Sequence, residues 1–249
     1  MPAEEKPAPH ALQFTESDFS LFAPARQRDE EFNPYRLKLK HKLRALGDTL
    51  RADLKQAGFA TDIRTSLSHP YTYNGFRVDA MWVYLSRPRK ERAALKTILG
   101  AELGEDLDPN YQHLVMYLEI NEAQVEIGMR IHQLAWWDTQ NLKYKCEDRA
   151  RAAEMAALLN RLDAFVMTIH DWKKEYRSGA LSWGDIATFM QYFTPGDHRW
   201  LLRRILKKTE PLATSPELAA SASRAMIEMI PLYRWIAWAP DNNFLKLKS

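Results

Sequence analysis

Two neighbouring segments of the chain alternate apolar and polar residues with a period of two. They span residues 114–120 and 124–131, and only three residues separate them. This alternation is typical of strands with one buried face, and so short a connection predicts a β-hairpin. No other stretch constrains the fold as strongly, because a hairpin fixes both a strand pair and the face that must be covered.

The hairpin pattern also predicts a register. With a two-residue turn at residues 121–122, Leu118 opposes Val125 and Met116 opposes Ile127. The apolar residues of both strands then share one face, whereas a slip of one residue would mix the faces.

Further strand signal lies upstream of the hairpin. Residues 76–85 alternate with apolar residues on both faces, which is typical of a strand inside a sheet. Residues 59–67 form a second candidate strand, interrupted by Asp62 and Arg64, and residues 68–75 read as the connecting loop. We therefore expect at least four strands, mostly antiparallel.

A long helix precedes this sheet region. Asn33 is a good N-cap, Pro34 suits the first helical position and Gly58 ends the helix. One stripe of leucines at helical spacing predicts its buried face: Leu39, Leu43, Leu46, Leu50 and Leu54. The opposite face is predicted to be exposed and basic: Arg36, Lys38, Lys40, Lys42 and Arg44.

The rest of the chain is predicted to be mainly helical. A short helix starts at Pro88 within the basic cluster 87–92, and the acidic linker 102–109 follows it. Further helices are predicted at residues 143–170, 183–193, 195–208 and 216–230. Pro231 is predicted to stop the last helix, and the aromatic segment 233–238 to add an edge strand or pack on the core.

These elements predict an α+β fold, with a mostly antiparallel sheet of at least four strands flanked by helices and a helical C-terminal third. We expect a flexible N-terminal tail over residues 1–12 and a single α+β domain over residues 13–249. The sheet core occupies residues 58–132 of that domain. The helical part, residues 143–231, is either included in the domain or forms a subdomain.

Composition narrows the class of protein. The 249 residues are 46% hydrophobic, which suffices for a buried core, and the net charge of +3 does not require a polyanionic partner. Cys146 is the single cysteine, the chain starts without the apolar run of a secretory signal, and no run of about 18 apolar residues suggests a membrane span. We expect a cytoplasmic protein that does not contact a membrane.

The order of these elements resembles that of two groups of bacterial proteins without an established function. The shared features are the helix ending in 43–47, Ile63-Arg64, the Pro70-Tyr71 turn, and the strand and hairpin described above. The groups are the YktB-like cytosolic proteins and a family with an Arg…Thr-Pro-Tyr-Lys loop before its sheet. The likeness covers about residues 14–132. It implies an α+β fold with a sheet flanked by helices, and it does not indicate any particular activity. Residues 68–72 of this chain lack the lysines of the second group.

No motif for a nucleotide, a hydrolase triad, zinc or another cofactor occurs in the sequence, so we expect no cofactor and assign no metal ligand. Loops at strand ends often carry binding residues. The loop at residues 68–75 combines rings that have polar tips, and the neighbouring strands add charged groups. The predicted ligand-binding residues are Arg64, His69, Tyr71, Tyr73, Asp79 and Glu119.

Several functions fit this pattern. A ligand-binding or protein-interaction module is favoured, and the Trp- and Tyr-rich surface would serve a protein partner. One alternative is a metal-dependent phosphodiesterase or nuclease, with Asp79 and Glu119 on strands holding Mg²⁺. Another is weak nucleic-acid binding through the basic segment 199–208, which is less favoured. The sequence leaves open whether the protein is an enzyme.

Overall fold

The computed structural model describes residues 13–99, 109–170 and 172–245. Seven strands occur in these residues: β1 (Asp62–Thr65), β2 (Ala80–Ser86), β3 (Val115–Asn121), β4 (Gln124–Ile131), β5 (Val166–Ile169), β6 (Tyr176–Arg177) and β7 (Trp200–Lys207). They form one sheet with the order β1-β2-β3-β4-β7-β5-β6. All the paired neighbours in this sheet are antiparallel.

Helices flank the sheet. Those of the described chain are α1 (Glu16–Ser20), α2 (Asn33–Gln56), α3 (Arg89–Leu99), α4 (Pro109–Gln112), α5 (Trp136–Lys145), α6 (Arg149–Leu159), α7 (Trp183–Tyr192) and α8 (Leu218–Ile236). Short 3₁₀ turns lie at Glu30–Phe32, Thr72–Asn74 and Pro211–Thr214. The predicted α+β class with a mostly antiparallel sheet is confirmed.

Helix α2 follows the sequence signals closely. It begins at Asn33 with Pro34 in its first turn, and the chain leaves it through Gly58, whose φ is 75°. Every leucine of the predicted stripe is buried: Leu39, Leu43, Leu46, Leu50 and Leu54. A Cβ built on Gly47 would lie 2.5 Å from Cγ2 of Val83, so the glycine allows α2 to pack closely on β2.

The prediction that Arg36 belongs to the exposed basic face of α2 is wrong. Its side chain is fully buried. The guanidinium donates hydrogen bonds to the backbone carbonyls of Arg26 and Asp29 and to Oδ1 of Asn33. Burial lowers the pKa of Arg36. This arginine therefore ties the segment before α2 to the helix, a role that charge alone could not reveal.

The predicted hairpin is present as β3 and β4, but the predicted register is wrong by two residues. Leu118 pairs with Ile127 rather than Val125, and Met116 pairs with Met129. Because side chains alternate with a period of two, this shift still leaves the apolar residues of both strands on one face.

The turn explains the shift. Residues 122–123, not 121–122, form the two-residue connection. The side-chain Oδ1 of Asn121 accepts the backbone N–H groups of Ala123 and Gln124. An asparagine that bonds the backbone two residues ahead makes an Asx turn, so Asn121 acts before the turn rather than within it.

Strand β2 starts later than predicted, at Ala80 instead of residue 76. Phe76 has a φ of 57°, in the left-handed region that a strand cannot contain, and its ring is exposed. The N–H of Val78 donates to the carbonyl of Gln27, so this segment pairs with the turn before α2 instead of the sheet. β1 is likewise shorter than the predicted span 59–67.

The prediction of one continuous helix over residues 143–170 is wrong. After α5 ends, Asp148 caps a new helix by accepting the N–H of Arg151 on Oδ1. Ala164 then has a φ of 60°, and the following apolar residues form β5. β5 lies inside the sheet and is buried on both faces, so its sequence shows no alternation that separates it from a buried helix.

Residues 195–208 are not helical, which corrects a second prediction. Residues Trp200, Leu202 and Leu206 of β7 are buried at even spacing. Arg203 points to the other face, where its Nη1 donates to Oε1 of Glu126 at 3.1 Å. The apolar residues of this segment fit the period of a strand and that of a helix almost equally well. Hydrogen bonding to β4 makes the segment a strand.

The last helices match the predictions only partly. α7 begins after Ser182, close to the predicted start, and Ser182 forms a capping box with Asp185. α8 continues through Pro231, so the prediction that this proline ends the helix is wrong. The segment 233–238 is not a strand, because it forms the last turn of α8 and the residues after it; the Tyr233 hydroxyl donates to the carbonyl of Leu114.

The two faces of the sheet differ in composition. The core face is covered by α2 and α8. It carries the apolar residues of the central strands: Met81, Val83, Leu85, Met116, Leu118, Ile120, Val125, Ile127 and Met129. The opposite face, here called the polar face, carries aromatic and charged residues: Trp82, Tyr84, Tyr117, Glu119, Glu126, Arg130 and Arg203.

Two predicted features fall outside the described residues. These are the flexible tail, residues 1–12, and the acidic linker except Pro109. The first described aromatic residues, Phe14, Phe19 and Phe22, are buried. In the described parts of the chain, no helix is both long enough and apolar enough to cross a membrane.

Candidate functional site

A cavity of about 620 Å³ lies where β1, the following loop and the start of β2 meet α2 and α4. Small-molecule sites span roughly 300–1,000 Å³, so the cavity has a suitable size. We call it the loop pocket. Its lining residues are Lys40, Arg64, Thr65, Ser66, Leu67, His69, Tyr71, Tyr73, Asn74, Arg77, Asp79, Ala80, Trp82, Asn110 and Tyr111.

Five of the six predicted ligand-binding residues line this pocket. They are Arg64, His69, Tyr71, Tyr73 and Asp79. The sixth, Glu119, does not line it. It lies on β3, where it is the pairing partner of Trp82 of β2, which does line the pocket.

The loop after β1 is fixed by its own hydrogen bonds. Oδ1 of Asn74 accepts the N–H of Tyr71 at 2.7 Å, and its Nδ2 donates to the carbonyl of His69 at 2.9 Å. Gly75 follows with a φ of 61°, which favours glycine, and the N–H of Phe76 returns to the carbonyl of Tyr71. The loop therefore presents its rings from a defined backbone.

Those rings form a row along the pocket. The ring centroids of His69 and Tyr71 are 6.0 Å apart, and those of Tyr71 and Tyr73 are 5.7 Å apart. Tyr71 is 48% exposed and Tyr73 is 83% exposed, so both present flat surface to solvent. On the opposite side Tyr111 packs edge-on against His132 at 4.6 Å.

The charges of the pocket are unequal. Among the described lining residues, Lys40, Arg64 and Arg77 are cationic and Asp79 is anionic. Nε of Arg77 lies 3.4 Å from Oδ2 of Asp79, with both side chains about half exposed. Cationic side chains therefore outnumber carboxylates among the described lining residues.

Arg130 contacts two of the pocket residues, Trp82 and Asn110. Its guanidinium lies 4.8 Å from the ring centroid of Trp82 and 4.6 Å from that of Tyr117. Nε donates to Oδ1 of Asn110 at 2.9 Å, and Nη1 donates to Oε2 of Glu119 at 3.1 Å. Its buried Nη2 has no hydrogen-bond partner among the described residues. Two pocket residues, Trp82 and Asn110, are thus positioned by one arginine.

Glu119 is unusual because it is mostly buried, with its side chain 17% exposed, beside other carboxylates. Burial raises its pKa to about 7, opposed by the Arg130 charge, and the charges of Glu126 and Asp79 add to the rise. The neighbouring His132 is shifted in the other direction. Burial is the main cause that lowers its pKa to about 4, and nearby cations contribute, of which Arg199 has the largest effect.

Asp79 and Glu119, the two carboxylates predicted as a possible metal site, each form an ion pair with a different arginine. Asp79 pairs with Arg77, and Glu119 pairs with Arg130. Across the described ranges, no group of three or more His, Cys, Asp and Glu residues could hold a metal ion.

Sequence reasoning did not select several pocket residues, chiefly Lys40, Arg77, Trp82, Asn110 and Tyr111. Alternation did place Trp82 on one face of a strand, and Lys40 was recognised as basic. Nothing local indicates that Asn110 and Tyr111 lie across from the loop. They are brought there by the path of the chain between β2 and β3.

No protein-family model matches the chain, and no curated protein matches it.

Proposed function

We propose that this chain is a ligand-binding protein and that the loop pocket takes a small organic anion. The observation that supports this most is that the described lining residues combine cationic side chains, such as Lys40 and Arg77, with several rings around a cavity of about 620 Å³. Cations orient an anionic group through charge-assisted hydrogen bonds, and rings bind flat apolar surface.

The other predicted functions receive less support. A metal-dependent phosphodiesterase would need Asp79 and Glu119 to face one cation, whereas each carboxylate faces an arginine. A partner surface built from tryptophans would need them exposed. Among all eight tryptophans, only Trp136 and Trp183 are exposed.

Basic residues of the segment 199–208 support nucleic-acid binding weakly. Arg203 pairs with Glu126, and Lys208 pairs with Glu16. Their charges are thus partly neutralised within the protein, which reduces the electrostatic attraction to phosphates.

A thermal-shift screen of the full chain tests the proposal. The panel contains nucleotides, sugar phosphates and aromatic carboxylates, and at least one should raise Tm, because a ligand that binds only the folded state stabilises it. Arg77→Ala should weaken that ligand by about 1 kcal/mol, or about fivefold in affinity.

Arg44→Ala is a matched control. Arg44 and Arg77 are both half-exposed arginines, each 3.4 Å from an aspartate on its own segment, and only Arg77 lines the pocket. The control should leave the affinity unchanged. If no anion raises Tm, or if both variants weaken the ligand equally, the proposal is wrong.

A second assay addresses the alternative directly. The protein is incubated with Mg²⁺ and a phosphodiester substrate. Turnover that disappears in both Asp79→Asn and Glu119→Gln would replace the binding proposal with the phosphodiesterase hypothesis.

A further inference from the structure

Strand β1 stands first in the strand order of the sheet, so only one of its two edges is paired with another strand. Its other edge lies beside the loop pocket, because residues 64–67 line that pocket. We propose that this edge binds an extended peptide of a partner protein as an additional strand, and that one side chain of the peptide enters the loop pocket. The inference goes beyond the proposed function and does not require that the pocket bind an anion.

The hydrogen bonds to β2 identify the backbone groups of β1 that face outward. The N–H of Ser66 donates to the carbonyl of Trp82 at 2.9 Å, so these two residues form a hydrogen-bonded pair of the antiparallel ladder. Such pairs alternate along two strands, which turns the backbone of Arg64 toward β2 as well. The N–H and carbonyl groups of Ile63 and Thr65 therefore point away from β2. We call these four groups the β1 edge.

Among the described residues, no hydrogen bond from another part of the chain reaches the β1 edge. β2 and α2 are the described elements that pack extensively on β1. α2 covers a face of the strand and not its edge, because a Cβ built on Gly47 would lie 3.3 Å from Cδ1 of Ile63. A row of backbone groups without partners is a template for another strand.

The loop pocket gives such a strand a place for a side chain. Opposed residues of neighbouring strands project from the same face of a sheet, so a peptide residue opposite Ser66 would lie on the face that carries Trp82. Leu67, Tyr71 and Trp82 provide apolar surface in the pocket. Peptides that extend a sheet gain affinity from backbone hydrogen bonds and specificity from pockets for alternate side chains. The pocket therefore suits an aromatic or aliphatic residue of the peptide.

The edge suits a peptide better than a second copy of the chain. β1 has four residues and is thus about 13 Å long. Pairing two strands of this length would by itself bury far less than the roughly 1,000 Å² that a specific protein interface needs. A peptide combines the edge and the pocket in one interaction.

Fluorescence polarisation with the full chain tests the inference. The probes are labelled peptides, blocked at both ends, of the sequence Thr-Val-X-Val-Thr, in which X is Phe, Leu, Ala, Lys or Glu. The β-branched residues favour an extended conformation. The Phe or Leu peptide should bind about tenfold or more tightly than the Ala peptide, because only a large side chain buries apolar surface in the pocket.

Thr65→Pro tests the edge itself. Proline removes the outward N–H but none of the hydrogen bonds to β2, and edge strands tolerate proline where the N–H faces solvent. The variant should weaken the tightest peptide about fivefold or more. Thr65→Val is the matched control, because it keeps the N–H and should bind like the parent. The Tm of both variants should stay close to that of the parent.

Amide hydrogen exchange of the parent gives a measurement that needs no variant. Without peptide, the N–H of Thr65 should exchange faster than that of Ser66, which donates to Trp82. A saturating concentration of the tightest peptide should slow the exchange of Thr65 about tenfold or more, since the N–H then donates to the peptide.

Three outcomes would overturn the inference. The β1 edge is not a peptide site if none of the peptides binds, or if the Thr65→Pro and Thr65→Val variants bind equally. A second copy occupies the edge if sedimentation velocity shows a dimer that Thr65→Pro converts to monomers. The thermal-shift screen of anions is independent of all three results, so the proposed function and this inference can fail separately.

Discussion

The two faces of the central sheet are built by the same strands but are stabilised in different ways. On the core face, Met116 and Leu118 of β3 are completely buried among other apolar residues. On the polar face of the same strand, Tyr117 and Glu119 reach Glu126 and Arg130 through hydrogen bonds. One face depends on excluding water, and the other depends on pairing each charge.

This difference explains which face carries the candidate site. An apolar face can only be covered, whereas a face with paired charges can hold a polar group at a defined position. Trp82 illustrates this, because its neighbour Arg130 orients it against the pocket.

Gly128→Ala should produce the largest loss, although Gly128 lies on the polar face. A Cβ at this position would lie 2.0 Å from the backbone oxygen of Leu202 in β7. The two strands would have to separate, which should cost about 3–5 kcal/mol of unfolding free energy. Denaturant unfolding measures the loss.

Gly196→Ala is the control for this variant. Gly196 has a φ of 95° and an added Cβ would meet nothing within 4 Å, so only backbone strain of about 1–2 kcal/mol is expected. Equal losses for the two variants would show that the approach of β7 to β4 does not require glycine.

Adjacent residues on β3 compare the two faces directly. Leu118→Ala removes a buried side chain from the core face and should cost about 2–5 kcal/mol. Tyr117→Phe removes only the hydroxyl that donates to Oε2 of Glu126 and should cost about 1 kcal/mol. Urea unfolding of both variants provides the comparison. A larger loss for Tyr117→Phe would reverse the contrast between the faces.

Stability should depend on pH through Glu119. Its pKa is about 7 in the folded protein and about 4.3 in an unfolded chain, so the folded state holds the proton more strongly between these values. This contribution is complete below the unfolded pKa and is lost as the pH rises through the folded pKa. Between pH 6.5 and 8, it should therefore reduce the unfolding free energy by about 1 kcal/mol.

Glu119→Gln should remove this dependence. The exposed Glu122 in the β3–β4 turn provides the control, and Glu122→Gln should keep it. Unfolding curves at the two pH values measure both variants. A decline that persists unchanged in Glu119→Gln would assign the titration to another group.

Arg77→Ala should have the smallest effect on stability. The Arg77–Asp79 pair is about half exposed, and exposed pairs contribute about 0–1 kcal/mol. Its Tm without ligand should therefore stay close to that of the parent, even where ligand binding is weakened. A clear fall in Tm would indicate that Arg77 holds the loop rather than a ligand.

The sequence predicts best the elements whose signals are local. The leucine stripe of α2 and the alternation of β3 and β4 report directly which residues are buried, because each pattern matches the geometry of one element. The Asx turn at Asn121 displaced the register but not the faces.

Elements inside the sheet were harder to predict. β5 is buried on both faces, so its Val-Met-Thr-Ile sequence lacks alternation, and β7 mixes arginines into its apolar pattern. Both segments form strands because they hydrogen-bond to neighbouring strands of the sheet. The local sequence gives no sign of this pairing.

The candidate site was predictable only where one loop carries it. His69, Tyr71 and Tyr73 stand out because they are close in sequence. Lys40 and Tyr111 come from distant helices and meet the loop only through packing against the sheet. Glu119 was placed correctly on a strand, but its link to the pocket depends on Arg130.

The position of β7 has a consequence for how the protein is made. β7 lies between β4 and β5, so it joins the first four strands to the last two. Until residues 200–207 emerge from the ribosome, the hydrogen-bonding edge of β4 has no strand beside it. Such edges are templates for aggregation, and pairing over long sequence separations is slow. A chain that stops after Ile131 should therefore aggregate, as light scattering would detect. Completion of the sheet must wait for β7, the strand that joins its two parts and is the last of the seven to be synthesised.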